Sequence, residues 1–229
     1  IGSVEWNDIP LLMEDIERIE VVRGPNAAAF GANAFMGVIN LITRDPSRTT
    51  STVNASVGDN GQRLLSGRYA GHAGAWNYRL SAGYRADDGI DNIYDSQAQK
   101  IIDLRTDYHP NSRDTYGLGA GYNDSRRDRG SSTSLFDQPH PDNIGSGYAQ
   151  LRWSRILGPD REISAQLYRN QYTLDGAATS LPIAPLGNQR FTTNGEVDLG
   201  RTDFEAQYRH APTADWRVVA GAGFRRDTA

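Results

Sequence analysis

From residue 50 onward, apolar and polar positions alternate with a period of two. Trp76, Tyr78, Leu80, Ala82 and Tyr84 alternate with Asn77, Arg79, Ser81, Gly83 and Arg85. A β-strand sends successive side chains to opposite faces, so this run predicts a strand with one apolar face and one face of polar residues and glycine. The pattern recurs at Ile102, Leu104, Thr106 and Tyr108, and at Tyr116, Leu118, Ala120 and Tyr122. It returns at Ala149, Leu151 and Trp153, at Ile163, Ala165 and Leu167, at Phe204, Ala206 and Tyr208, and at Trp216, Val218, Ala220, Ala222 and Phe224. Weaker runs at 50–59 and 62–71 bring the expected number of strands to nine.

The connections alternate in length. Tight turns are expected at 71–74, 110–114, 158–160 and 212–215, and longer links rich in Asp, Asn, Gly, Pro and Ser at 86–98, 124–146 and 173–194. Only the first link on the long side, at Asn60-Gly61, is short. An antiparallel up-and-down sheet with turns at one end and loops at the other is the pattern of an outer-membrane barrel. Trp76, Tyr84, Tyr108, Tyr116, Tyr122, Trp216 and Phe224 stand near strand ends, where interfacial girdles would lie. A soluble β-sandwich, with the same faces packed on a second sheet, stays open on pattern alone. The polar faces carry Asp103, Arg105, Asp107, Asp203, Glu205 and Arg209, which suits a hydrated lumen.

The first 46 residues do not alternate in this way. Residues 10–16 predict a short helical turn with Glu14, Asp15 and Glu17 exposed, and Ile19, Val21 and Val22 a short buried strand stopped by Arg23-Gly24-Pro25. Residues 26–30 predict one helical turn with Gly31 as its C-cap. Gly37 opens a second strand, which Asp45-Pro46 closes. The expected architecture is therefore mainly β: the end of a small mixed α/β domain over 1–46, then a partial antiparallel transmembrane barrel over 47–229.

Charge sharpens that division. Residues 1–46 hold seven acids and three arginines, which accounts for the whole net charge of −4, and the remainder balances 21 acids with 21 bases. With a pI near 5.6 and no basic patch, a nucleic-acid partner is not expected. Arginine supplies 23 of the 24 basic residues, Lys100 being the exception. The absence of Cys excludes disulfides, Cys-zinc sites and a thiol nucleophile. No run of about 18 apolar residues exists, so a membrane-spanning helix is excluded, whereas a barrel is not. The mean hydropathy of −0.61 is the average expected of lipid-facing and lumen-facing residues taken in turn.

Catalytic signatures are missing. The glycines at 117, 119 and 121 and those at 221 and 223 do not open a helix with a third glycine at dinucleotide-binding spacing. The four histidines are isolated, no Gly-x-Ser-x-Gly elbow occurs, and the carboxylates are scattered over alternating strands. No enzyme, cofactor or metal site is expected.

The stretch Asp15-Ile16-Glu17-Arg18-Ile19-Glu20-Val21-Val22-Arg23-Gly24-Pro25, followed by Phe30-Gly31, Ala34, Gly37 and Val38-Ile39-Asn40-Leu41-Ile42-Thr43, resembles the C-terminal end of the plug domain of TonB-dependent outer-membrane receptors. Phe30 stands where Tyr is commoner in that family, and Met36 where a first Gly usually precedes Gly37. The resemblance implies a Gram-negative outer-membrane location, a barrel of about 22 strands closed by a plug, and energised uptake of an iron–siderophore, haem, cobalamin or glycan ligand. It implies TonB as partner through a segment upstream of Ile1, and so a chain spanning the last third of a plug and the first part of a barrel. Alternatives are a passive porin or enzyme barrel, without the Arg-Gly-Pro element, and the soluble sandwich.

The resemblance also nominates residues. Gly24, Pro25, Gly31, Gly37 and Asn40 form the structural plug motif. Arg23, and less directly Arg18, match plug arginines that pair with barrel acids; capping a local carbonyl is the other reading of Arg23. Trp6, with Asn7 beside it, falls where an apical plug loop touches ligand, or else it packs on the inner wall. Phe136 and His140 sit in a Pro-containing loop at 131–143 that is either a ligand or gating loop or a flexible exposed one.

Overall fold

A computed structural model describes residues 5–24, 36–213 and 216–229. The N-terminal part holds short 3-10 turns at Trp6–Asp8, Met13–Asp15 and Pro46–Arg48 and an antiparallel pair, β1 (Ile16–Arg23) and β2 (Gly37–Thr43). Nine strands follow: β3 (Thr52–Val57), β4 (Arg63–Ala73), β5 (Trp76–Asp87), β6 (Gln97–Tyr108), β7 (Asp114–Arg129), β8 (His140–Gly158), β9 (Arg161–Thr179), β10 (Thr192–Thr213) and β11 (Trp216–Thr228). They form one sheet in sequential order, each pair antiparallel, with β3 and β11 as its two edges. The nine expected strands are thus present, in the expected topology.

The Asn60-Gly61 turn shows why that link is short. Asn60 at φ 54 and Gly61 at φ 65 occupy the two central positions of a turn closed by the Gln62 amide donating to the Asp59 carbonyl. Positive φ at both centres is the hairpin geometry that Asn-Gly favours.

The register gives the tilt of the wall. Trp76 connects through Tyr108, Tyr116, Trp153, Ala165 and Ala206 to Ala222. The turn-side aromatic of β11, however, is Trp216, six residues nearer the turn end. A slip of six residues at ~3.3 Å each over six interstrand steps of ~4.8 Å is a tilt of roughly 35°, within the range of membrane barrels. The line from Trp76 to Trp216 crosses β7 near Asp114 and β8 near Ile156. About eight residues above it, the same slant passes Tyr84, Tyr122 and Phe224, the second aromatic belt. Between the belts the outer face exposes Leu80, Leu118, Leu151, Leu167 and Phe204. On the turn side, Trp76 stacks on Tyr108 with ring centroids 4.3 Å apart, and Tyr116 lies 6.2 Å beyond.

Several local expectations are corrected. The long links are shorter than expected, at 88–96, 130–139 and 180–191, because the strands continue past the point where alternation stops. Above the apolar band both faces meet water, so side-chain alternation fades while the ladder hydrogen bonds persist. The loop expected at 131–143 thus gives up His140 to β8. Ile19, Val21 and Val22 are 52%, 61% and 38% exposed, not buried, because no layer covers the β1–β2 ribbon among the described residues. Asp15, expected in solvent, is fully buried. Pro25, Gly31 and the turn expected at 26–30 lie outside the described residues.

Candidate functional site

The N-terminal segment lies against the polar, lumen-side face of the sheet, and the contact is built in tiers. In the loop-side tier the Asp8 carboxylate meets the Arg127 guanidinium at 2.9 Å and the Tyr172 hydroxyl at 3.5 Å. The Asp8 carbonyl accepts from Ser146 and from Asn123, and the Asn7 carbonyl accepts from Gln99 Nε2 at 2.5 Å. In the middle tier the Leu12 side chain packs over Gly83, where a Cβ would lie 2.5 Å from Leu12 Cδ2, and the Pro10 carbonyl lies over Gly121. Glycine on these lumen-facing positions is what lets another backbone approach.

The deepest contacts surround the 3-10 turn at Met13–Asp15. Arg68 Nε donates to Asp15 Oδ1 at 2.5 Å, and Ser66 donates to the Glu14 carboxylate at 3.2 Å. Arg79 is fully buried: it donates to Asp103 Oδ1 at 2.7 Å and to the Arg44 carbonyl at 2.9 Å, with Asp15 at 3.9 Å. Tyr148 donates to the other Asp103 oxygen at 2.5 Å. Arg44 ties the turn to the end of β2 by donating to the Glu14 carbonyl, and Arg105 donates to Thr43 Oγ1 at 2.7 Å. The seam thus sets acids of the N-terminal segment, Asp8, Glu14 and Asp15, against arginines of the wall, Arg68, Arg79 and Arg127. Asp15 Oδ2, Arg79 Nε and Arg127 Nε are buried without a hydrogen-bond partner in the chain, which calls for water beside them.

Burial pushes the Asp8 carboxyl above its usual range, with the Arg127 guanidinium as the main opposing influence. A carboxyl with a raised pKa when seated holds its proton more tightly seated than free. Its contribution to seating is therefore full below about pH 4 and is lost as the pH rises through the raised value. Asp8→Asn in an intact receptor should flatten that dependence above about pH 4. Protease accessibility of the N-terminal segment measures it, and an unaltered profile would show that Asp8 does not govern seating.

The nominated residues fall in different places. Trp6 is 53% exposed beside the loop-side tier, and Asn7 meets the wall through its backbone carbonyl. Arg18 donates to Glu20 at 2.8 Å, and Glu20 also accepts from Asn40, so Arg18 and Asn40 share a local cluster on the β1–β2 ribbon. Arg23 is exposed at the end of β1, opposite Gly37. Gly24 has φ 92, a conformation that side chains resist, and a Cβ at Gly37 would lie 2.7 Å from the Val22 carbonyl oxygen. Phe136 is exposed in the 130–139 loop, which is pinned to the next loop by the Leu181 amide donating to the Leu135 carbonyl. His140 lies between Asp137 and Asp142, each 3.4 Å away. Among the described residues, no cluster of three or more acids and histidines is placed to hold a metal. Arg68, Arg79, Arg127 and Asp103 carry the seam without having been nominated. The available signal was the −4 charge of the first 46 residues facing strands whose polar sides carry arginine.

A tilted wall with a polar lumen face and an ion-paired segment seated on it defines a plugged membrane barrel. The model of the TonB-dependent receptor plug domain matches residues 1–38. A vitamin B12 transporter of Photobacterium profundum is 41% identical over 75 residues, covering 32% of this chain and 12% of that protein. One from Vibrio cholerae is 39% identical over 92 residues, 38% of this chain and 14% of that protein. Two solved structures share the fold over 93% of this chain: the Escherichia coli ferric-catecholate import receptor Fiu (TM-score 0.76, 14% identity, 39% of that chain) and the Pseudomonas aeruginosa ferripyoverdine receptor (TM-score 0.77, 14% identity, 32% of that chain). These matches are consistent with a piece of a TonB-dependent receptor of the Gram-negative outer membrane that joins plug-domain sequence to barrel strands, and the chain spans only a minor part of the length of the relatives it matches.

Proposed function

We propose that the protein serves energised, TonB-dependent uptake across the outer membrane, with a ferric siderophore as ligand. The observation that carries this reading is the seam: an acidic segment held in the lumen by hydrogen bonds worth about 1 kcal/mol each and by buried ion pairs whose attraction is largely offset by desolvation. Such a seat closes the barrel yet yields to a directed pull, because the contacts exchange for water tier by tier. Pro46 is taken as the boundary between plug and barrel. Trp6, Asn7, Phe136 and His140, all near the loop end, are taken as ligand contacts, and Arg23 as a plug arginine that meets barrel acids.

A second ligand, cobalamin, is favoured by the identity with vitamin B12 transporters over a minor part of their length. Uptake of labelled ferric enterobactin and of labelled cyanocobalamin, by cells producing the intact receptor with and without TonB, separates the readings. Undiminished uptake without TonB would overturn energised transport, and the probe that accumulates identifies the ligand class. In the same cells Trp6→Ala should weaken binding of that probe about tenfold, the order expected for one buried aromatic contact. An unchanged affinity would return Trp6 to packing. Arg23→Ala should lower uptake while leaving binding intact; equal uptake would remove Arg23 from the mechanism.

A further inference from the structure

The turn-side end of the outer face carries a concave feature. A cleft of about 440 Å³ opens between the 109–113 turn and the end of β8, lined by Ser112, Arg113, Asp114, Arg155, Ile156 and Leu157. It lies on the line from Trp76 to Trp216, immediately turn-ward of Tyr116 and Trp153. That is the level at which lipid headgroups meet an aromatic belt.

Its chemistry is defined. Arg155 grips Asp114 through two hydrogen bonds of 2.7 and 2.9 Å, and the Trp153 indole N–H donates to the same carboxylate at 3.3 Å. Asp114 is therefore saturated and fixes Arg155, whose guanidinium carbon lies 5.9 Å from the Trp153 ring centroid. Arg155 Nη1 has no hydrogen bond among the described residues, and Arg113 is exposed without an ion pair among them. Two arginines against one carboxylate leave a positive charge at the cleft. Leu157, 46% exposed, shares the outer face of Leu151 and supplies an apolar floor below Leu151 and Leu118. At the neighbouring 159–160 turn the local carboxylate is shared differently, Asp160 being met by Arg161 at 3.6 Å and His210 at 2.9 Å.

We propose that this cleft binds the phosphate of a glycerophospholipid in the periplasmic leaflet, with Arg113 and the free edge of Arg155 on the phosphate oxygens and the acyl chains running over Leu118 and Leu151. An arginine fork suits a phosphate, and a headgroup at this depth gains from both the charge and the apolar floor. The reading depends only on the membrane placement of the wall, not on ligand or TonB.

The test titrates the intact, detergent-solubilised receptor with short-chain phosphatidylglycerol, following bound lipid by native mass spectrometry. Heat-modifiable gel mobility checks the barrel. Arg113→Gln should weaken lipid binding about tenfold at unchanged barrel integrity, as expected for one charge-assisted contact. Arg113→Lys should bind more tightly than Arg113→Gln, and Arg113→Glu should abolish binding. Equal binding by wild type and Arg113→Gln would overturn the proposal. Two further results would do the same: glycerophosphate displacing the lipid at equal concentration, which marks a soluble-phosphate site, or diacylglycerol binding as tightly, which marks a purely apolar groove.

Discussion

Asp15→Ala is expected to release the N-terminal segment from the barrel wall. The side chain has no exposure, and its Oδ1 lies 2.5 Å from Arg68 and 3.9 Å from Arg79, themselves 9% and 0% exposed. Removing the carboxylate leaves two buried guanidinium groups with Asp103 as their remaining close acid. Breaking one side of a buried ionic cluster costs roughly 3–5 kcal/mol, because charge is stranded away from water. A segment held otherwise by hydrogen bonds of ~1 kcal/mol each would not stay seated. The chain has no cysteine, so a single Leu12→Cys label in the intact receptor reports on seating directly. Labelling should rise sharply with Asp15→Ala and less with Asp15→Asn, which keeps the shape. Adding Arg68→Gln to Asp15→Asn should recover part of the loss, since the two residues share one interaction. Equal labelling in all variants would mean that the cluster is incidental to seating.

The second large effect is steric. A Cβ at Gly121 would lie 2.6 Å from the Tyr148 ring and 2.8 Å from the Pro10 carbonyl oxygen. The wall cannot yield, because β7 is hydrogen-bonded on both sides. Gly121→Val should therefore displace the N-terminal segment, at a cost of about 1–3 kcal/mol for overpacking. Gly119 shares the strand and the face, but a Cβ there would meet Tyr148 at 3.5 Å, an ordinary contact. Gly119→Ala should then label at Leu12→Cys like the parent. If the two substitutions behave alike, the close approach at Gly121 is not what seats Pro10.

Much of the wall was legible in the sequence because a lipid-facing strand must alternate. Leu80, Leu118 and Leu151 face lipid while Arg79, Gly117 and Arg152 face the lumen, and a slip of one residue would exchange them. Legibility failed where that constraint ends. Residues 124–129 continue β7 although Asp124, Arg126 and Asp128 look like loop, because a strand in water needs no apolar face. The seam was hidden for a different reason. Asp15 and Arg68 are 53 residues apart, and nothing local marks an acid in a Met-Glu-Asp turn as buried. What was visible was a sum: an acidic leader before a charge-balanced sheet. Arg18 illustrates the converse, since its local acids Glu17 and Glu20 occupy it on its own ribbon.

The uneven lengths of the strands give the barrel mouth a shape. From the Trp76–Trp216 line, β4 and β5 rise about ten residues, ending near the upper belt, whereas β10 rises about nineteen. The excess amounts to roughly 30 Å of strand standing clear of the lipid on one flank. The rim is a ramp: low where the Asn60-Gly61 hairpin turns over, high where the 130–139 and 180–191 loops are knitted together. Along these nine strands the wall therefore offers an open sill on the first flank and a parapet on the other. In the uptake proposed above, a solute would arrive sideways over the sill and descend a short way to the Trp6 segment.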